Sequence, residues 1–508
     1  MCALAVLSSG APRVPGFVEE RNTIPQAGGI AGWDRFGGWW DPTSAGPAEQ
    51  GLTVFPGFAP DCSMRKMIGS ASGSTRAGES GTGAGDLRRV VGVPGAILMG
   101  LGSILGTGIF VSIGIAAGVA GPSVVLAVVL AAAVATFNGL SSAQLAASHP
   151  VSGGTYEYGY RYLTPALGFT AGWMFLVAKS ASAATAALGF GGYVLTAVGA
   201  EGQLPRILLG LALVAFLTGI VAGGMGRSNR TNAVIVSLTL LALVAFVVTG
   251  APDALAGGGR HFVPFFPRDN EGMRGLLHGT ALMFVAYTGY GRIATLGEEI
   301  RDPSRSIPLA IVATLVVTMG LYLSVVAVAV GVAGASGLAE ATRTAAAPLE
   351  VVAQSFTVPG IGWLVAAAAV TAMVGVLLNL LLGLSRVMLA MGRRRDLPAW
   401  VAHVDPTQSS PRRAVVLTGL LIAGLVLLGD VRTTWSFSAF TVLVYYALTN
   451  LAALRLPPEH RRFPLIVPLL GLLSCLGLAF WVEPAIWGVG LGLMAAGLAW
   501  HFVARRRR

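Results

Sequence analysis

The sequence predicts an all-α integral membrane protein of twelve transmembrane helices, two of them interrupted by glycine near their middles. Only 11% of the residues are charged and 54% are hydrophobic, about half the charge expected of a soluble domain of this length. The apolar residues fall in repeated runs of about 18 to 25, long enough to cross a hydrocarbon core of about 30 Å. The carriers of the formal charge of +11 sit in short stretches between those runs, so no basic face for nucleic acid is formed.

Residues 1–85 are rich in Gly, Pro, Ser and Ala, lack periodicity and scatter Trp33, Trp39 and Trp40, as expected of a disordered tail. Ala3 to Leu7 is too short an apolar core for a signal peptide, and Met64 or Met67 is a candidate start of the chain. The membrane domain is expected over 86–508. Its spans are placed near 94–118, 123–147, 165–198, 206–224, 231–250, 275–297, 306–334, 357–391, 413–429, 432–454, 464–482 and 484–504. Arginines crowd the even loops and both tails, from Arg88 and Arg89 through Arg393, Arg394 and Arg395 to the C-terminal Arg505–Arg508. The opposite loops hold only Arg206, Arg260, Arg268, Arg274, Arg343 and Arg432, a bias that puts both termini on the cytoplasmic side. Cys2, Cys62 and Cys475 are too scattered for a disulfide framework or a thiolate metal site, and no cofactor or metal is expected.

The first span carries Gly100, Gly102, Gly106 and Gly108, and each glycine weakens a helix by about 1 kcal/mol. On glycine spacing alone, close packing of neighbouring helices explains such glycines better than an unwound break whose freed N–H and C=O groups bind a ligand. The sixth span favours the break, because Ala286-Tyr-Thr-Gly-Tyr-Gly-Arg292 interrupts a second apolar run with two glycines and a charge. Two broken helices five spans apart suggest a 5+5 inverted repeat followed by two C-terminal helices. In that architecture half-helix ends at the bilayer midplane face the anionic and cationic groups of a solute, and a zwitterionic amino acid fits both. Gly172-Trp173 and Gly362-Trp363, early in the third and eighth spans, weakly echo the repeat.

These motifs resemble the amino acid-polyamine-organocation superfamily of permeases, which adopts the leucine-transporter fold, over roughly residues 86–505. The likeness rests on Gly106-Thr-Gly-Ile-Phe110, Ser152-Gly-Gly-Thr-Tyr156, Ala286-Tyr287, Gly289-Tyr290, Glu298-Glu-Ile-Arg-Asp-Pro303, Ile307-Pro308, Asn379 and Ser385-Arg386, in that order. It implies a secondary transporter of amino acids that works by alternating access in a plasma membrane. The amides around Thr107 and Gly108 would receive the substrate carboxylate, with Gly106 allowing close approach. The carbonyls of Ile104 and Thr288 would take the ammonium group, beside Gly289. Phe284, Val285 and Tyr287 would lie along the substrate or gate its exit, although many relatives carry an aromatic where Val285 stands.

Lys179 lies near the middle of the third span, where an ammonium is costly unless paired or wetted, and by resemblance it faces the substrate cavity. A cation there disfavours cationic substrates, so neutral or acidic amino acids are expected. Thr239 stands where proton-coupled relatives often carry lysine, and Val374 to Leu378 lack the Ser/Thr pair of sodium-binding relatives. Lys179 is then the candidate for the protonatable role, with protons as possible partners, and exchange without an ion gradient is equally open. Arg292, Glu298 and Glu299 are gate candidates, Arg292 pairing with Glu298 or Glu157; a solvated helix end explains the acidic pair as well, since exposed pairs contribute about 0–1 kcal/mol.

A membrane enzyme would need a nucleophile with its base or a metal cluster, and neither is visible in the spans. An exchanger, a carrier of another organic solute such as a polyamine, and a non-transporting sensor share the same pocket requirements and stay as alternatives. A channel lacks its filter motif. An accessory subunit is not assigned by the sequence.

Overall fold

The computed structural model describes residues 91–150, 153–224, 229–266, 272–294, 300–404 and 411–506. The tail 1–85 and the gate candidates Glu298 and Glu299 lie outside the described residues.

The first apolar run folds as three helices in line, α1 (Val93–Ile104), α2 (Thr107–Phe110) and α3 (Ser112–Ala120). Gly121 (φ 62°) then turns the chain into α4 (Val124–Ser148) and a short α5 (Thr155–Tyr162). Thr164 caps the next helix, its hydroxyl accepting from the Leu167 amide, and Pro165 opens α6 (Pro165–Ala197) at the position where a missing N–H costs nothing. There follow α7 (Gln203–Ala222), α8 (Asn229–Ala256), α9 (Gly272–Tyr287), a 3-10 turn at Thr288–Tyr290 and α10 (Gly291–Ala294). The remainder is α11 (Pro303–Ala345), α12 (Pro348–Gln354), α13 (Ile361–Arg393), α14 (Arg412–Val426), α15 (Val431–Leu454), α16 (Ile466–Ala479) and α17 (Pro484–Arg506).

Among the described residues eight helical stretches are long and apolar enough to cross a membrane, Ser112–Ser148 counting as one, and Val93–Ile104 and Ile466–Ala479 are shorter apolar helices. The core is helix on helix. α6 lies deepest, and its run of small residues from Ser180 to Ala187 lets α15, α13 and α7 approach closely. Outward faces expose Phe216, Val248, Leu420, Leu473 and Phe502, a surface suited to acyl chains rather than water.

Three boundaries differ from the sequence reading by four residues or more, and one is the end of α8, which runs through Pro252 to Ala256 rather than stopping near 250. α11 continues past the expected end of the seventh span as a helix to Ala345, but non-helical Gly334 (φ 70°, ψ 164°) divides it at the expected residue. α13 begins at Ile361 rather than near 357. Thr357 is tied to the Asp253 carboxylate by its amide (3.0 Å) and hydroxyl (2.6 Å), and Gly360 (φ 86°) makes the turn into the helix.

Candidate functional site

The two glycine-rich interruptions meet in space. A Cβ on Gly289 would stand 2.4 Å from the Ser103 carbonyl oxygen, and one on Gly108 would stand 2.9 Å from the Ala286 Cα, so only glycine lets these backbones touch. The chain entering α1 also pairs with the chain entering α11, where the Arg301 amide donates to the Val91 carbonyl at 2.9 Å.

Ending a helix inside an apolar bundle leaves carbonyls and amides without helical partners, each costly to bury. Here tyrosines from other helices meet the carbonyls. The Tyr322 hydroxyl of α11 lies 3.0 Å from the Ile104 carbonyl and 3.4 Å from that of Ala286, bridging the two interrupted runs. The Tyr446 hydroxyl of α15 donates to the Thr288 carbonyl at 3.2 Å. Beyond the first break, helical bonding resumes with the Ile109 and Phe110 amides donating to Gly106 at 3.0 Å. Thr107 is buried and its Oγ1 has no hydrogen-bond partner among the described residues.

A cavity of about 380 Å³ reaches this junction. Lys179, Thr288, Gly289, Arg292, Ser103 and Asn379 line it, and so do Arg386 and Arg393, about two and four turns beyond Asn379 along α13. No Asp or Glu is among its described lining residues. Lys179 Nζ donates to Thr288 Oγ1 at 2.7 Å, and that hydroxyl donates onward to the Val285 carbonyl at 2.7 Å. The bond joins α6 to the interruption after α9, and it gives a buried ammonium the acceptor its depth demands. Asn379 Nδ2 reaches the Gly102 carbonyl at 3.4 Å from α13.

Of the residues singled out in the sequence, Lys179, Thr288, Gly289 and Arg292 are brought together on the cavity wall. Ile104, Gly106, Thr107, Gly108, Phe284, Val285 and Tyr287 are buried at the junction without lining the cavity. Phe284 packs edge-on against Tyr446, with ring centroids 5.5 Å apart. Thr239 is buried in α8 and donates its hydroxyl to the Ile235 carbonyl of its own helix at 2.8 Å. Glu157, one of the two partners considered for Arg292, forms its ion pair with Arg394 instead, whose guanidinium lies over the Tyr160 ring at 4.5 Å. Sequence reasoning missed Tyr322 and Tyr446. Their only signal was a polar-tipped aromatic inside an apolar run, a residue that needs a partner for its hydroxyl when buried.

An all-helical membrane protein with two interrupted helices around a cationic cavity belongs to the class of transporters. Residues 95–499 match the amino acid permease family, and the chain belongs to that family, within the superfamily its motifs resemble. It is 39% identical to an uncharacterized transporter of Mycobacterium tuberculosis, over 83% of this chain and 92% of that protein. It is 28% identical to the branched-chain amino acid permease BcaP of Bacillus subtilis, over 78% and 88% of the two chains. It is 25% identical to the vacuolar cationic amino acid transporter 2 of Arabidopsis thaliana, over 80% and 65%.

Proposed function

We propose that this protein is a secondary transporter of amino acids across a cytoplasmic membrane, working by alternating access, with neutral or acidic substrates preferred over cationic ones. The reading takes the chain as twelve spans, a 5+5 inverted repeat with two further helices, and both termini cytoplasmic. The observation that carries it is the Lys179–Thr288 bond of 2.7 Å on the wall of a cavity whose other charged lining residues are Arg292, Arg386 and Arg393. Relatives named for branched-chain and for cationic substrates support amino acids as the class and leave the side chain to this cavity. A cation in the wall disfavours a cationic side chain by like-charge repulsion in a poorly screened space.

The substrate carboxylate is assigned to the amides of Thr107 and Gly108, and its ammonium to the carbonyls of Ile104 and Thr288. Each of those carbonyls has a second lone pair beside the one its tyrosine uses. With the arginine-rich end taken as cytoplasmic, the cavity is a route between this site and the cytoplasm. Lys179 is the candidate proton carrier.

The test is uptake of labelled leucine, glutamate and arginine into proteoliposomes, with and without a proton gradient, a sodium gradient or unlabelled substrate inside. Leucine or glutamate uptake well above arginine uptake supports the reading, and dependence on internal substrate alone makes the protein an exchanger. Arginine uptake that matches leucine uptake overturns the charge preference. Failure of every amino acid to move or bind overturns the substrate class.

A further inference from the structure

Between α11 and α13 the short helix α12 buries a carboxyl group that the transport reading does not use. Glu350 is 1% exposed, its Oε2 has no hydrogen-bond partner, and no ion pair among the described residues involves it. It lines a cavity of about 330 Å³ with Ala197, Gln354 and Trp363. A buried carboxylate without a cation or donors is strongly disfavoured, whereas the neutral acid is tolerated.

The elements packed around α12 supply no compensating charge. From α6 comes Tyr193, close enough to interact with Glu350 electrostatically. From α11 come Glu340 and Arg343, which are exposed and paired with each other. α13 carries no charged residue before Arg386. Nearby, Arg206 reaches the Thr344 carbonyl at 3.4 Å and the Gly429 carbonyl at 3.5 Å, and Asp253 holds Thr357. Burial pushes the Glu350 carboxyl from the ordinary 4.5 up to about 7.

α12 is also linked to the broken helix. The Leu349 amide approaches the Tyr193 hydroxyl, which donates to the Phe110 carbonyl at the end of α2 at 2.7 Å. Its two flanks bend in left-handed backbone, at Ala346 (φ 56°) and Gly360 (φ 86°). Alanine adopts such geometry rarely, so the seated conformation of that flank is held against backbone strain.

We propose that Glu350 is a proton-binding site that governs the seating of α12 on α6 and, through Tyr193, on the broken helix α1–α3. With the proton bound, α12 seats and closes its end of the bundle; with the proton lost, the seated state is penalised and α12 lifts. The sign follows from linkage: a carboxyl whose seated pKa is raised favours seating at low pH. That preference falls by up to about tenfold per pH unit between the ordinary carboxylate value and about 7, and is flat above.

The test replaces Cys2, Cys62 and Cys475 with serine, places a cysteine at Ala353 on the same cavity wall, and labels it with a water-soluble maleimide in lipid nanodiscs. A cysteine at exposed Val358 in a parallel sample corrects for thiolate chemistry. The corrected rate should rise about tenfold between about pH 6 and pH 8, and stay flat in Glu350→Gln, which mimics the neutral acid. A flat wild-type rate, or the same rise in Glu350→Gln, overturns the proposal. Should the variant fail to fold, carbodiimide modification of Glu350 in the wild type, mapped by mass spectrometry, should fall only about tenfold from about pH 6 to about pH 8, against about a hundredfold for the exposed carboxyl of Glu340. A parallel fall of the two carboxyls overturns it. Neither measurement needs a substrate, so the proposal and the amino acid reading fail separately.

Discussion

Thr288 connects the one lysine of the described bundle to the second helix break, and Thr288→Val tests whether that connection matters. Valine keeps the shape of threonine, so no cavity opens and the change is confined to the hydroxyl. Two bonds are lost, from Lys179 Nζ at 2.7 Å and to the Val285 carbonyl at 2.7 Å. A hydrogen bond to a charged group contributes about 1.5–3 kcal/mol, and the wetted cavity lets water recover part of it. About 1–2 kcal/mol of positioning energy should therefore be lost, a rise of roughly 5- to 30-fold in the half-saturating concentration for uptake. Initial rates in proteoliposomes measure this, with Thr288→Ser as the variant that retains the hydroxyl. Wild-type uptake within about twofold in both variants would refute the idea that the Lys179–Thr288 bond positions the break.

Lys179→Ala should raise arginine uptake relative to leucine by about fivefold, because removing one cation from a poorly screened wall removes on the order of 1 kcal/mol of repulsion; an unchanged ratio counts against the cavity setting charge preference. Gly289→Ala should abolish uptake, since its Cβ would lie 2.4 Å from the Ser103 carbonyl oxygen, while Gly477→Ala, with nothing within 4 Å, should transport normally. Tyr446→Phe should lower thermal stability by about 1 kcal/mol through loss of the bond to the Thr288 carbonyl, with substrate affinity changed by less than about threefold. A drop in affinity beyond tenfold would mean that this hydroxyl contacts the substrate itself.

The glycine clusters made both breaks legible before any coordinates, because glycine density inside an apolar run is a local property of the chain. Lys179 was legible for the same reason, as a lone charge deep in a span. The partners of those groups were not. Tyr322 and Tyr446 reach the breaks from helices far along the chain, and nothing in their neighbours says which carbonyl a tyrosine will meet. Glu350 and Asp396 illustrate the same limit from the other side. Both sit in loop-like sequence where a carboxylate reads as solvated, yet each is 1% exposed. Asp396 accepts from the Tyr156 hydroxyl at 2.8 Å and the Tyr160 hydroxyl at 2.5 Å, so its burial is compensated by donors that Glu350 lacks. Burial of a loop residue is decided by packing between distant segments, which periodicity does not encode.

The tyrosine hydroxyls bear on how an interrupted helix survives without substrate. A carbonyl left bare in an apolar bundle would cost about 1–3 kcal/mol, and a neutral hydroxyl offsets roughly 1 kcal/mol of that. A substrate ammonium makes a charge-assisted bond of about twice that strength. The Ile104 and Thr288 carbonyls are thus held by neutral hydroxyls, which on the proposed reading would yield, or share a second lone pair, when a substrate ammonium arrives. Lys179 plays the corresponding part on the Thr288 hydroxyl, which leaves that carbonyl open to a second donor. On the proposed reading, a cation held on the side chain and a carbonyl kept available on the backbone of one residue would give the break a built-in preference: it would accept the α-ammonium of an amino acid while the adjoining wall would reject a second positive charge.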